Sequence, residues 1–189
     1  MAANLAPRFQ ETIDTLLTTY PVVDSAHPPI KSALHEHLSG LAQAFGTLDL
    51  RGQRVLDIAC GSSESRMPPK LNEPVPFEKL HVTPEFQPWL CRLLHHLGAD
   101  AVGVDIGNND REVFTHYQLD LGVLGVLDFL PSDSFDAVHD DRLFGSPEFR
   151  RQFPERAGRL TVAAEIQRQE QRLLRTGGIV LHTGTTVVF

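Results

Sequence analysis

Cysteine is scarce in this chain: Cys60 and Cys91 are the only two in 189 residues. Two are too few for a disulfide framework, and Cys60 falls in a small-residue turn where a crosslink would restrict access. Apolar runs are short, none nearing the roughly 20 residues of a membrane-spanning helix. Positive charge is also thin. Lys and Arg total 17 against 24 Asp and Glu, a formal net charge of -7, and no basic run is longer than Arg150-Arg151. A chain of this charge repels polyanions, which argues against nucleic acid and points to small molecules or proteins as partners. The first residues, MAANLAPRFQETID, bring an acid early and hold no apolar signal core, so a reducing cytoplasmic setting is expected. There is neither an internal repeat nor a low-complexity segment.

What is present reads as one α/β domain over residues 1–189, with a helical cap over 1–50 and a core over 51–189. Phe9, Ile13, Leu16 and Leu17 fall on one helical stripe that Pro21 ends. A second stripe, Ile30, Leu34, Leu38, Leu41 and Phe45, follows Pro28-Pro29. Strands are expected at 54–58 (RVLDI), 101–106 (AVGVDI), 114–119 (FTHYQL) and 135–139 (FDAVH), and a fifth from Ile179 onward. Helices are expected at 85–97, with Pro88 in its first turn, and at 159–175, with a short helix over 124–130 running into a turn at Pro131-Ser132-Asp133-Ser134. In the helix over 159–175, Leu160, Ala163, Ala164, Ile166, Leu173 and Leu174 are expected to face inward, and Gly177-Gly178 to end the helix. Strands alternating with helices imply a Rossmann-like three-layer α/β/α sandwich on a mostly parallel sheet. Residues 64–84 carry Pro68, Pro69, Pro74, Pro76 and Pro84 with little periodicity, and read as a long inserted loop.

Chemistry concentrates at strand ends. In DIACGSS the chain turns sharply out of a strand through small residues that let backbone approach a ligand, and Gly61 can take positive φ. Ligands of open α/β sheets bind beyond the carboxyl ends of the strands, at the switch point. Asp57, Asp105 and Asp120 close three successive strands. A carboxylate so placed can accept from an ammonium group, a ribose or an adenine amino group. A single such acid is more often a turn residue, but three in succession point to a shared nucleoside site.

The chain from about Arg54 onward resembles the class I S-adenosylmethionine-dependent methyltransferases. VLDIACGSS is similar to their first motif, VGVDIG to the second, YQLDL and LPSDSFDAVH to the middle motifs, and LLRTGGIVLHTG to the last helix, double-glycine turn and fifth strand. The resemblance implies S-adenosylmethionine as cofactor and a methyltransferase, a transferase acting on a small molecule. It places Ala59 and Gly61 against the cofactor's methionine part and Asp57 near its amino group. Asp105 would hold the ribose and Asp120 the adenine, with Ile106, Leu121 and His139 also contacting the cofactor.

The chain departs from the family pattern in three ways. Ala59 and Ser63 stand where glycines are usual, the 64–84 insertion precedes the next helix, and the sequence ends at Phe189, just past the fifth strand, without the family's closing hairpin. The TGTTVVF edge is therefore expected to pair with another chain, as in a homodimer, or to lie under the N-terminal helices. His139, after the fourth strand, is the candidate general base. Asp140 and Asp141 read better as a helix cap than as metal ligands, and no metal is expected. Arg66 and Lys70 could face a carboxylate but read as solvated charges. His35-Glu36-His37 and His95-His96 are too closely spaced on helices to chelate, and Trp89 reads as a packing residue. The alternative to an enzyme is a non-catalytic cofactor-binding or scaffold protein of the same fold. A nicotinamide enzyme is disfavoured, since GSSES is no G-x-G-x-x-G turn.

Overall fold

A computed structural model describes residues 6–63, 66–67, 81–140, 143–144, 147–182 and 185–188. Five parallel strands form its centre: β1 (Arg54–Ile58), β4 (Asp100–Asp105), β5 (Thr115–Gln118), β6 (Phe135–His139) and β7 (Leu174–His182). A sixth strand, β8 (Thr185–Val188), pairs antiparallel with β7. Across the sheet the order is β5-β4-β1-β6-β7-β8, the order of a doubly wound half-sheet whose switch point falls beside β1. A two-residue ribbon, β2 (Arg66–Met67) against β3 (His81–Val82), lies apart within the inserted stretch.

Both faces of the sheet are covered, as parallel strands require. On one face α1 (Ala6–Thr19), α2 (His27–Phe45) and α3 (Trp89–His96) pack over Val55, Ala101, Ala137 and Leu181. The two predicted stripes supply this layer: Ile13, Leu16, Ile30, Leu34, Leu38 and Leu41 are all sealed from solvent. Each such side chain contributes about 1.5–3 kcal/mol of burial. Gly46 closes α2 at φ 69, its N–H donating to the Ala42 carbonyl at 3.0 Å. On the other face Leu56, Ile58, Val102, Val104 and Val138 meet Val162, Ile166 and Leu173 of α5 (Arg156–Leu173). A short α4 (Pro147–Gln152) precedes α5.

Several sequence expectations change. The helix over 85–97 begins at Trp89, because Pro84–Phe86 forms a 3-10 turn and Pro88 is the N-cap. Residues 124–130 hold turns and no helix. The buried face of α5 is Val162, Ile166, Gln169, Glu170 and Leu173, while Leu160 is 57% exposed. The Gly177-Gly178 pair does not end that helix. α5 stops at Leu173, where the Ser134 N–H takes its carbonyl at 2.9 Å, and β7 starts at once. Phe135 pairs with Leu174 but Ala137 pairs with Ile179, so residues 175–178 bulge out of β7, with Gly177 at φ 79. The C-terminal edge also differs from expectation: 185–188 fold back as β8 rather than extending the fifth strand.

Candidate functional site

β1 and β4 run in register, Asp57 beside Gly103 and Ile58 beside Val104, and both turn into loops at the same end. Leaving β1, Ala59 takes φ 61 and Gly61 φ 89. The left-handed conformation is uncommon for alanine and free for glycine. Asp105 ties the two loops together: its Oδ2 accepts from the Gly61 N–H at 3.0 Å and its Oδ1 from the Gly107 N–H at 2.8 Å. Burial pushes the Asp105 carboxyl above its ordinary value, against the pull of both backbone donors. Asn109 adds a second tie, accepting from the Ser63 N–H at 2.7 Å and donating to the Gly61 carbonyl at 2.8 Å. Ile106, next to Asp105, is 58% exposed.

The inserted stretch returns directly onto this turn. The Phe86 carbonyl accepts from the Ser62 N–H at 3.1 Å, and any side chain at position 61 would strike that carbonyl oxygen. Thr83–Gln87 thus occupies the close approach that Gly61 permits. Asp120 lies two residues past Gln118, the partner of Asp105 across β4 and β5. Its carboxylate accepts from the Gly122 N–H at 2.8 Å and from the Gln152 side-chain amide at 3.0 and 3.1 Å. Leu121 is buried in the core beneath α5 and not at the surface of the crevice.

Asp57 points the other way, beneath α2 and α3. Its Oδ1 lies 2.7 Å from Nδ1 of His139, both side chains about 5% exposed or less. Its Oδ2 accepts from the Cys91 thiol at 3.6 Å, and burial pushes that thiol well up. A carboxylate can only accept, so Nδ1 of His139 carries the proton in this bond. Among the described residues His139 Nε2, which is buried, has no hydrogen-bond partner. His37 sets its ring edge-on to His139, 5.4 Å between centroids. A small hollow opens here, lined by His37, Asp57, Gln87, Trp89, Leu90 and His139 together with Ala59 and Cys60 of the turn, with room for about one water molecule. Behind it Arg92 makes a buried bidentate pair with Glu112 at 2.6 and 3.0 Å. Arg92 also donates to Gln87 Oε1 at 2.8 Å, fixing that amide.

Gln87 was not singled out from sequence, and His37 and Cys91 were considered there only as a chelator and as one of two cysteines. The signal for His37 was its place on the apolar face of α2, three residues after Leu34. A second buried group was also missed. Asp140 and Glu170 are 8% and 4% exposed, and Glu170 is pushed up to about 8 by burial and by the neighbouring Asp140 carboxylate, to which it is hydrogen-bonded. Asp141 and Lys70 lie outside the described residues, as does the side chain of Arg66. Among the described residues no group of three or more His, Cys, Asp or Glu is placed to hold a metal ion, and no helix is long and apolar enough to cross a membrane.

No protein-family profile matches the chain, and no curated protein matches it. Among solved structures it is similar to a selenomethionine-substituted carbon methyltransferase, CurJ, at 14% identity and a TM-score of 0.37. The likeness covers 92% of this chain and 50% of that one, so the chain spans about half the length of that structure.

Proposed function

We propose that this chain binds S-adenosylmethionine at the carboxyl ends of β1, β4 and β5 and acts as a methyltransferase on a small molecule. The observation that carries the reading is the junction of the Ala59–Gly61 turn with Asp105, beside an exposed Ile106, at the switch point of the sheet. The residue types suit the cofactor. The turn gives bare backbone for a methionine moiety, Asp105 retains lone pairs for ribose hydroxyls, and Ile106 offers an apolar wall to an adenine. Asp57 serves in this reading as the orienting partner of His139 rather than as the cofactor's ammonium contact, because its carboxylate is committed beneath α2. Bound S-adenosylmethionine would supply an electrophilic methyl group. The chain's own residues orient the acceptor, exclude water and take its proton at His139 Nε2.

Space supports the reading in part. The Phe86 carbonyl accepts from the Ser62 N–H and sits where any side chain at position 61 would lie, so a whole cofactor displaces Thr83–Gln87 from Gly61. That crowding favours the second reading, a non-catalytic cofactor-binding or scaffold protein whose acids are satisfied by their own chain. Calorimetric titration with S-adenosylmethionine and S-adenosylhomocysteine tests the first step. Binding by the wild type, weakened at least tenfold in Asp105→Ala, supports the assignment, and no binding overturns it. Binding without methyl transfer to any of a broad acceptor panel selects the scaffold reading. The β8 edge is proposed to pair with a second copy. Light scattering that gives a monomer's mass across micromolar concentrations would remove that claim.

A further inference from the structure

Residues 83–87 are fastened to the molecule differently from the helix that follows them. Trp89, Leu90, Cys91, Arg92, Leu93 and Leu94 of α3 are all buried, whereas nothing over 83–87 is, and Phe86 is 38% exposed. Hydrogen bonds hold the segment down. The Phe86 carbonyl accepts from the Ser62 N–H at 3.1 Å, the Pro84 carbonyl from Trp89 Nε1 at 2.6 Å, and Gln87 Oε1 from Arg92 Nη1 at 2.8 Å. A segment with so little burial opens at a lower free energy than the core beneath it. The Arg92 end of the last bond is fixed independently of the segment. Its side chain is 5% exposed, pairs with Glu112 at 2.6 and 3.0 Å, and lies over the rings of Tyr20 and Trp89. The Glu112 N–H in turn donates to the Asn109 carbonyl at 2.9 Å, and Asn109 ties Ser63 to Gly61. The anchor and the covered turn therefore form one connected body.

Within the turn the Gly61 N–H goes to Asp105 and the Ser63 N–H to Asn109. The Ser62 N–H between them is the donor that an acceptor from outside the turn can take, and Phe86 takes it. We propose that residues 83–87 are an autoinhibitory strap over the turn at 59–63, latched by the Gln87–Arg92 hydrogen bond. A ligand of the turn then binds only those molecules whose strap is off. Its apparent dissociation constant is the intrinsic one divided by that open fraction, so a weaker latch tightens binding without adding a contact. The strap regulates the site proposed above and rests on that reading for its ligand, S-adenosylmethionine, while the latch itself needs no cofactor.

The test is Gln87→Ala in the full chain, which removes the acceptor of the latch and leaves Arg92 paired with Glu112. Amide hydrogen exchange is followed by NMR without ligand. The Ser62 amide is expected to exchange about tenfold faster than in the wild type, the effect of losing one hydrogen bond to a charged group. The amides of Gly61 and Ser63, held by Asp105 and Asn109, and those of Leu56 and Val102 in the sheet should change by less than about twofold. Calorimetric titration with S-adenosylmethionine should then give a dissociation constant lowered by the same factor as the Ser62 rate is raised. Ser62 exchange that stays at the wild-type rate, or a rise shared equally by Gly61 and Ser63, overturns the latch. Faster exchange at Ser62 with unchanged S-adenosylmethionine affinity overturns the autoinhibition and keeps the cofactor reading. Faster exchange at Ser62 where neither chain binds S-adenosylmethionine removes the cofactor reading and keeps the strap.

Discussion

Gly61 and Asp57 lie four residues apart, yet the polar groups around them are settled differently. Around Gly61 the partners come from the loop after β4 and answer one another: Asp105 holds two backbone N–H groups, and Asn109 answers both Ser63 and the Gly61 carbonyl. Around Asp57 the partners come from β6 and α3, and the chain of bonds stops at His139 Nε2. A region that satisfies itself is stable without a ligand. A region that leaves a buried nitrogen unanswered gives up stability and keeps a place for something else.

The largest effect that would break this contrast is at Asp57. Asp57→Ala strands a buried imidazole and a buried thiol, and leaving a buried polar group unsatisfied costs about 1–3 kcal/mol for each group. Urea unfolding should show a loss of that size, and a loss below about 1 kcal/mol would mean that the pair does little for the fold. Gly61→Ala attacks the other side. The residue combines φ 89 with the Phe86 carbonyl at its missing side chain, and overpacking with left-handed strain should cost about 2–4 kcal/mol. If that variant unfolds at the wild-type urea midpoint, Thr83–Gln87 does not rest on the turn.

Next in size is the Asp140–Glu170 pair. Glu170 sits at about 8 in the fold against an ordinary 4.5, so the folded chain holds a proton that the unfolded chain releases. Its stabilisation is complete below about pH 4.5 and is lost as pH rises through about 8, at no more than about 1.4 kcal/mol per pH unit. Stability measured at pH 6 should exceed that at pH 8 by about 2 kcal/mol, and Glu170→Gln should flatten the difference. A profile that rises over this range would contradict the shared proton. The smallest effect is Ala59→Gly, which relieves φ 61 and should raise the unfolding free energy by up to about 1 kcal/mol. A fall would show that the alanine methyl packs usefully.

Much of this was legible in the residues. The stripes of α1 and α2, the strands RVLDI and FDAVH, and the acids closing β1, β4 and β5 were read where they stand, because each depends on neighbours a few positions away. Three things were not. The inward face of α5 includes Gln169 and Glu170, polar residues buried only because Asp128 and Asp140 reach them from distant segments. Gly177-Gly178 suits a helix end and a strand bulge equally, and the register of β6 on β7 decides between them. The His37–His139 contact joins residues about a hundred positions apart, and nothing local in HEHLSG marks it. The structure brings the expected site residues together unevenly for the same reason. Asp105 and Gly61 meet, whereas Leu121 turns into the core and Asp57 turns to α3.

The Phe86 carbonyl resting on Gly61 has a consequence in time as well as in space. A ligand bound at that turn must wait for Thr83–Gln87 to lift, however abundant it is. In stopped-flow mixing, the observed rate would then level off as ligand concentration rises, at a ceiling set by how often the segment leaves the turn.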